Sequence, residues 1–185
     1  MNSFGNIFRI HIFGESHGNG LGVVVDNVPA GLSLTDEDFM KDLSRRRSGA
    51  KGTTPRIEPD MPEIVSGMFN GYTTGAPLTI LFRNTNTRSH DYDNLKYIPR
   101  PGHADFVATQ KFNGYHDPRG GGHFSGRVTL GLVAAGVIAK KIIQPIQITA
   151  SILEIGGQKD YQQLLEQTAQ AGDSLGGLVE CIATN

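Results

Sequence analysis

Arg119-Gly120-Gly121-Gly122-His123-Phe124-Ser125-Gly126-Arg127 is the stretch of this chain best equipped for chemistry. Three successive glycines remove side chains from the backbone, so its N–H groups can approach a ligand closely. The arginines at either end add permanent positive charge on planar forks that suit phosphate or carboxylate oxygens. A helix-like run, Val128 to Ile142, follows directly. That order predicts a glycine turn at a helix N-terminus, where unpaired N–H groups and the helix dipole draw anions. The expected ligand carries phosphate.

Two histidines stand in turns of their own. Gly14-Glu15-Ser16-His17-Gly18 fits the G-x-S-x-G pattern of a hydrolase nucleophile elbow, but that motif needs a helix after the turn. Here Leu21 to Val28 reads as a strand, so Ser16 is disfavoured as a nucleophile. His17, in a glycine turn, has an imidazole whose pKa a pocket can tune, although a lone histidine is more often structural. In Arg100-Pro101-Gly102-His103-Ala104-Asp105, His103 opens the next predicted helix. The dipole there disfavours its protonated ring and Asp105 acts in the opposite direction; a plain helix cap is the other reading.

Residues 45–56 contain five cations, Arg45, Arg46, Arg47, Lys51 and Arg56, and no acid. Such a run is either solvated charge or, between glycine hinges, a mobile clamp on an anion. Nucleic acid is a poor fit: the formal net charge is −1 and no aromatic platform adjoins the loop. His11 and His17 are six apart with no cysteine or carboxylate cluster at ligand spacing, so no metal site is predicted. His90 and His116 fall in polar loops and read as surface residues, and Arg88 lies in the same polar connection as His90.

These groups need a scaffold, and the pattern supplies one. Phe8 to Ile12, Leu21 to Val28, Leu78 to Phe82, Ile146 to Ile155 and Gly177 to Thr184 read as strands. Thr35 with Asp38 resembles a capping box, and Phe39 and Leu43 share a face of the helix that follows and finishes in Arg45-Arg46-Arg47. Ala104 to Tyr115 is a short helix. Val128 to Ile142 is apolar nearly all round and therefore a buried helix, whereas Asp160 to Ala171 is a polar, exposed one. A chain of 185 residues can bury a sizeable core in one domain. A single cysteine, Cys181, excludes a disulfide framework and suggests a reducing compartment. No signal peptide is evident and no apolar run approaches the ~20 residues of a membrane span, so a cytoplasmic protein with no membrane partner is expected.

In order along the chain, GESHGNGLG, the Arg45-Arg46-Arg47 loop, TTPRIEPD, RPGHAD and RGGGHFSGR resemble the chorismate synthase family, and Asp173-Ser174-Leu175-Gly176-Gly177 resembles the segment that follows. The resemblance implies an α+β fold, a β-α-β sandwich with helices between antiparallel sheets, over one domain spanning 1–185. It implies a lyase that eliminates phosphate from 5-enolpyruvylshikimate 3-phosphate to give chorismate, using reduced FMN (FMNH2), with NADPH as reductant in bifunctional relatives. By the same resemblance His17 and His103 are catalytic. His123, Phe124 and Ser125 line the flavin. Ser16, Arg46, Lys51, Arg100 and Arg127 bind substrate phosphate and carboxylates, or NADP. The partners implied are a small phosphorylated substrate and further copies of the chain, a tetramer in full-length members. Many members have Arg-Ser-Ser-Ala-Arg where this chain has His123-Phe124-Ser125-Gly126-Arg127. Family chains are much longer, so this chain is expected to be an N-terminal fragment lacking the later half of the flavin site and turning over negligibly alone.

Overall fold

The computed structural model of the chain describes residues 2–48, 56–87 and 98–185. Lys51, Arg88 and His90 lie outside the described residues, as does the middle of the 45–56 loop. The elements run β1 (Ser3–Phe4), β2 (Arg9–Gly14), β3 (Gly20–Asp26), α1 (Asp36–Arg46), β4 (Glu63–Ser66), β5 (Met68–Phe69), β6 (Tyr72–Thr73), β7 (Leu78–Arg83), α2 (Asp105–Lys111), α3 (Leu130–Ile142), β8 (Gln147–Ile155), α4 (Gln162–Gln170) and β9 (Gly177–Thr184). The class is α+β with antiparallel sheets.

Alternation builds the central sheet, whose order is β1-β2-β3-β7-β4 with every neighbour antiparallel. Leu21, Val23 and Val25 on β3 and Leu78, Ile80 and Phe82 on β7 are all fully buried, and the register sets Val23 opposite Ile80. Burial of each such side chain contributes about 1.5–3 kcal/mol. They face Phe39 and Leu43 of α1 and Leu130, Ala134 and Ile138 of α3 in one core. The α1 N-terminus has its capping box: the Thr35 N–H donates to the Asp38 carboxylate at 2.8 Å. Asp38 also pairs with Lys141 at 2.5 Å, and Asp42 with Lys140, which ties α1 to α3. Gly131 lets α3 ride directly on the sheet; a Cβ there would stand 2.9 Å from the Gly22 carbonyl oxygen.

The glycine turn does not sit at the N-terminus of α3. Gly120, Gly121 and Gly122 have φ of 59°, 81° and 53°, outside the right-handed helical region, within a 3-10 stretch Arg119–Phe124. A second 3-10 turn, Gly126–Thr129, intervenes, with the Ser125 hydroxyl accepting from the Arg127 N–H at 3.3 Å, and only then does α3 begin. Positive φ at three successive residues ends any helix begun upstream. The same break bears on the 24 residues Arg119–Ile142, which are apolar enough to cross a membrane by composition but are half buried in the protein and kinked at the glycines.

The last elements form a hairpin, β8 on β9, pairing from Gln147 with Thr184 to Ile155 with Gly177. Its surfaces are open: Ile148, Ile152, Leu178, Val179 and Ile182 are exposed, as is Cys181.

Candidate functional site

The turn between β2 and β3 carries Ser16 and His17, both buried. Three sets of bonds fix it. The Asn84 side-chain amide donates to the Glu15 and Gly18 carbonyls at 3.1 and 2.8 Å. The Asn84 N–H donates to the Asn19 carbonyl, and the Ser16 N–H donates to the Gly122 carbonyl at 3.0 Å. The Ser16–Gly122 bond couples the turn to the triple glycine. There Gly120 lies flat against it: a Cβ at Gly120 would stand 2.6 Å from His17 Cδ2, 2.9 Å from His17 Nε2 and 2.9 Å from Ser16 Oγ. The missing side chain at Gly120 therefore makes room for the imidazole. Gly121 is the glycine left open, its nearest neighbours for a Cβ being Ser125 Cβ at 3.8 Å and Arg100 Nη2 at 4.0 Å.

On the other side of the glycines is a cavity of about 220 Å³ whose walls include Arg100, His103, Asp117, Gly121, Phe124 and Ser125. His103 is exposed at its mouth, with Nδ1 3.2 Å from the Pro101 carbonyl oxygen. A proton on Nδ1 donating there leaves Nε2 free to accept one. The cap of α2 is Ala104, so His103 is no helix cap. Arg100 forks onto Asp105, donating from Nε at 2.8 Å and from Nη2 at 3.0 Å. These bonds outweigh the burial of Asp105 and hold its carboxyl below its usual range. A second cavity, about 460 Å³, shares the Phe124 wall and is lined by His11, Phe13, Tyr115 and His123. His123 faces it with both nitrogens engaged, Nδ1 with the Gly14 carbonyl and Nε2 with Asn2 Oδ1, each at 3.0 Å.

Charge around His17 is arranged to keep the ring neutral. Burial lowers its pKa first; Arg56 and Arg119 add to the shift, and Asp117 and Glu58 oppose it. Arg119 is held by Asp117 at 2.8 Å. Glu58 is itself buried, and burial alone would raise its carboxyl. Hydrogen bonds from the Thr85 N–H and hydroxyl, Arg56 and the Asn86 N–H outweigh that and bring it down to about 2. An acid whose folded pKa lies below its unfolded value contributes stability above the unfolded value and loses it as pH falls through the folded one. Urea-unfolding free energy is therefore expected to fall between pH 4.5 and about 2 by on the order of 2–3 kcal/mol from Glu58. Glu58→Gln should flatten that limb; an equally steep limb in the variant would refute the assignment.

The cations predicted as one phosphate clamp are divided. Arg100 lines the first cavity. Arg127 is buried, its Nη1 donating to Asp60 at 2.9 Å and its Nε to Asn84 Oδ1 at 2.7 Å. Its Nη2 is a buried donor with no partner among the described residues. Arg46 donates to the Gly126 carbonyl at 2.9 Å, near enough to Asp60 and Arg127 to feel both charges. Burial is the main force lowering the Arg46 pKa. Ser16 and His17 pack together against Gly120, while His103, Phe124 and Ser125 line the first cavity. The sequence reading missed Glu58, Asp60, Asn84 and Asp117. A signal existed for two of them, since Arg56 and Glu58, like Asp117 and Arg119, are opposite charges two residues apart.

Comparison with known proteins gives a consistent answer. The family model described as chorismate synthase matches residues 8–185. The chorismate synthase of Chitinophaga pinensis is 62% identical over 98% of this chain and 55% of its own length. That of Pyrococcus abyssi is 42% identical over 98% of this chain and 58% of its own length. A crystal structure of a chorismate synthase matches the fold with a TM-score of 0.67 at 24% identity, over 97% of this chain and 58% of that one. The chain thus spans little more than half the length of these relatives.

Proposed function

The chain belongs to the chorismate synthase family, and from that premise we propose that it carries the His17 and His103 part of an enzyme that eliminates phosphate from 5-enolpyruvylshikimate 3-phosphate to form chorismate. The elimination breaks a carbon–oxygen bond to phosphate and removes a ring proton, so the site must receive a departing anion and manage protons. The observation that carries this reading is the seating of His17. It is buried against the bare backbone of Gly120, held neutral by burial and by Arg56 and Arg119, one residue from the open Gly121 that lines an arginine-rimmed cavity. A neutral imidazole can accept or share a proton near neutral pH. His17 would do so at Nε2, the atom facing the glycines, and His103 at Nε2 at the cavity mouth. Arg100 would receive phosphate, with Arg46, Arg127 and Lys51 gripping the remaining charge and Ser16 touching substrate.

The family's reduced FMN fits the residues present. Phe124 is half exposed on the wall common to both cavities, and Gly121 offers no side chain to the first, which suits a planar ring. Phe124, Ser125 and His123 would hold it, His123 from the second cavity. When bound, reduced flavin supplies an electron transiently with no net redox change; NADPH is the proposed reductant. The open apolar faces of the β8–β9 hairpin support association into a homo-oligomer, a tetramer in this reading. We place the protein in the cytoplasm.

Phosphate release and chorismate formation from 5-enolpyruvylshikimate 3-phosphate with photoreduced FMN test the proposal. A chain completed with the remaining length of the Chitinophaga pinensis relative is expected to turn over, and the 185-residue chain alone negligibly. No chorismate from the completed chain would end this reading.

A further inference from the structure

Arg56 was one cation among five in the 45–56 loop, yet it is the one whose guanidinium reaches the His17 turn. Its Nη1 donates to Ser16 Oγ at 3.0 Å, while Nε and Nη2 donate to the same oxygen of Glu58 at 3.1 and 2.6 Å. Glu58 is in turn held by three donors from Thr85 and Asn86, the residues next to the Asn84 that pins the turn from the other side. The Arg56 side chain is only 21% exposed and that of Glu58 2%. With three of its N–H groups committed and a place in the lining of neither cavity described above, Arg56 does not stand where an incoming anion would meet it. It is well suited to fix a position.

We propose that Arg56 is the positioning residue of the Ser16–His17 turn: oriented by Glu58, it holds the Ser16 hydroxyl and sets a fixed positive charge beside the His17 ring. The assignment deepens the functional reading given above, since it specifies how His17 is kept in its proton-accepting form. Among the described residues the charges with the largest effects on that ring are those of Arg56, Arg119, Asp117 and Glu58. Arg56 and Arg119 disfavour its protonation, Asp117 and Glu58 favour it, and Arg56 outweighs each of the other three. Loss of the Arg56 charge should therefore make His17 easier to protonate even though Glu58 stays.

The test is an NMR titration of the His17 ring in the 185-residue chain, its signal assigned by its loss in His17→Gln. The wild-type midpoint is expected below the ordinary 6.5. Arg56→Gln should raise it by roughly 0.5–1 pH unit, and Arg56→Lys, which keeps the charge but not the fork, by less than half as much. A midpoint unmoved in Arg56→Gln, or moved equally by both variants, overturns the proposal. Should Arg56→Gln lose its dispersed amide spectrum, Arg56→Met, which removes the charge but keeps the apolar stem, takes its place under the same two criteria. The titration needs neither substrate nor flavin. It can fail while the proposed reaction stands, and the reaction can fail while the titration succeeds.

Discussion

Gly120→Ala is expected to cut turnover of the completed chain at least a hundredfold and to cost about 3 kcal/mol of unfolding free energy. Two effects combine. The residue has φ +59°, where alanine is strained by roughly 1–2 kcal/mol. Its new Cβ would also meet His17 Cδ2 at 2.6 Å and both His17 Nε2 and Ser16 Oγ at 2.9 Å. No real Cβ sits so close, and the imidazole cannot retreat into a packed interior without loss. Gly121→Ala separates the two effects: its φ is +81°, but nothing stands nearer than 3.8 Å. Urea unfolding should show Gly120→Ala losing at least ~1 kcal/mol more than Gly121→Ala, with the His17 ring shifts disturbed only in the former. Equal losses and an undisturbed His17 in both would contradict the packing described.

Asp60→Asn carries the second large effect. Arg127 and Asp60 are both buried and pair at 2.9 Å. Removing one member of a buried pair leaves an uncompensated charge and costs about 3–5 kcal/mol. Asparagine is the informative substitution because Asp60 has φ +50°, which asparagine tolerates, so the loss reports charge and not backbone strain. The consequence extends to the site, since Asn84 accepts from Arg127 and donates to the 15–18 turn. The double variant Asp60→Asn/Arg127→Met should recover part of the loss, giving a favourable coupling energy of at least ~1 kcal/mol in a thermodynamic cycle. Additive losses would show that the pair does not act as a unit.

Local features were legible in the sequence. The β3 and β7 strands and α1 with its Thr35–Asp38 cap could be read because their signals lie within a few residues of one another. The edge strand β4 was not, for Glu63–Ser66 is short and lacks alternation, and β5 and β6 are two residues each. Three glycines foretold an exposed backbone; that Gly120 would be filled by His17 while Gly121 stayed open is a contact across the fold. The same is true of the charges. Arg127 meets Asp60 across 67 residues, Arg56 meets Ser16 across 40, and Arg46 meets Gly126 across 80. A run of cations in sequence says nothing about which acid each one finds. In the fold Arg100 lines a cavity, Arg127 is paired with the buried Asp60, and Arg46 reaches the Gly126 carbonyl. The family resemblance supplied roles for His17 and His103, and geometry alone supplies their arrangement about the glycine turn.

The most direct measurement compares the completed chain with its His17→Ala/His103→Ala counterpart for chorismate formation under reduced FMN. Both should share the same circular dichroism, and each should be supplied with saturating 5-enolpyruvylshikimate 3-phosphate. If two imidazoles astride the glycines manage the protons, the double variant loses at least ~10²-fold in rate. Chorismate formed at the undiminished rate would contradict the account.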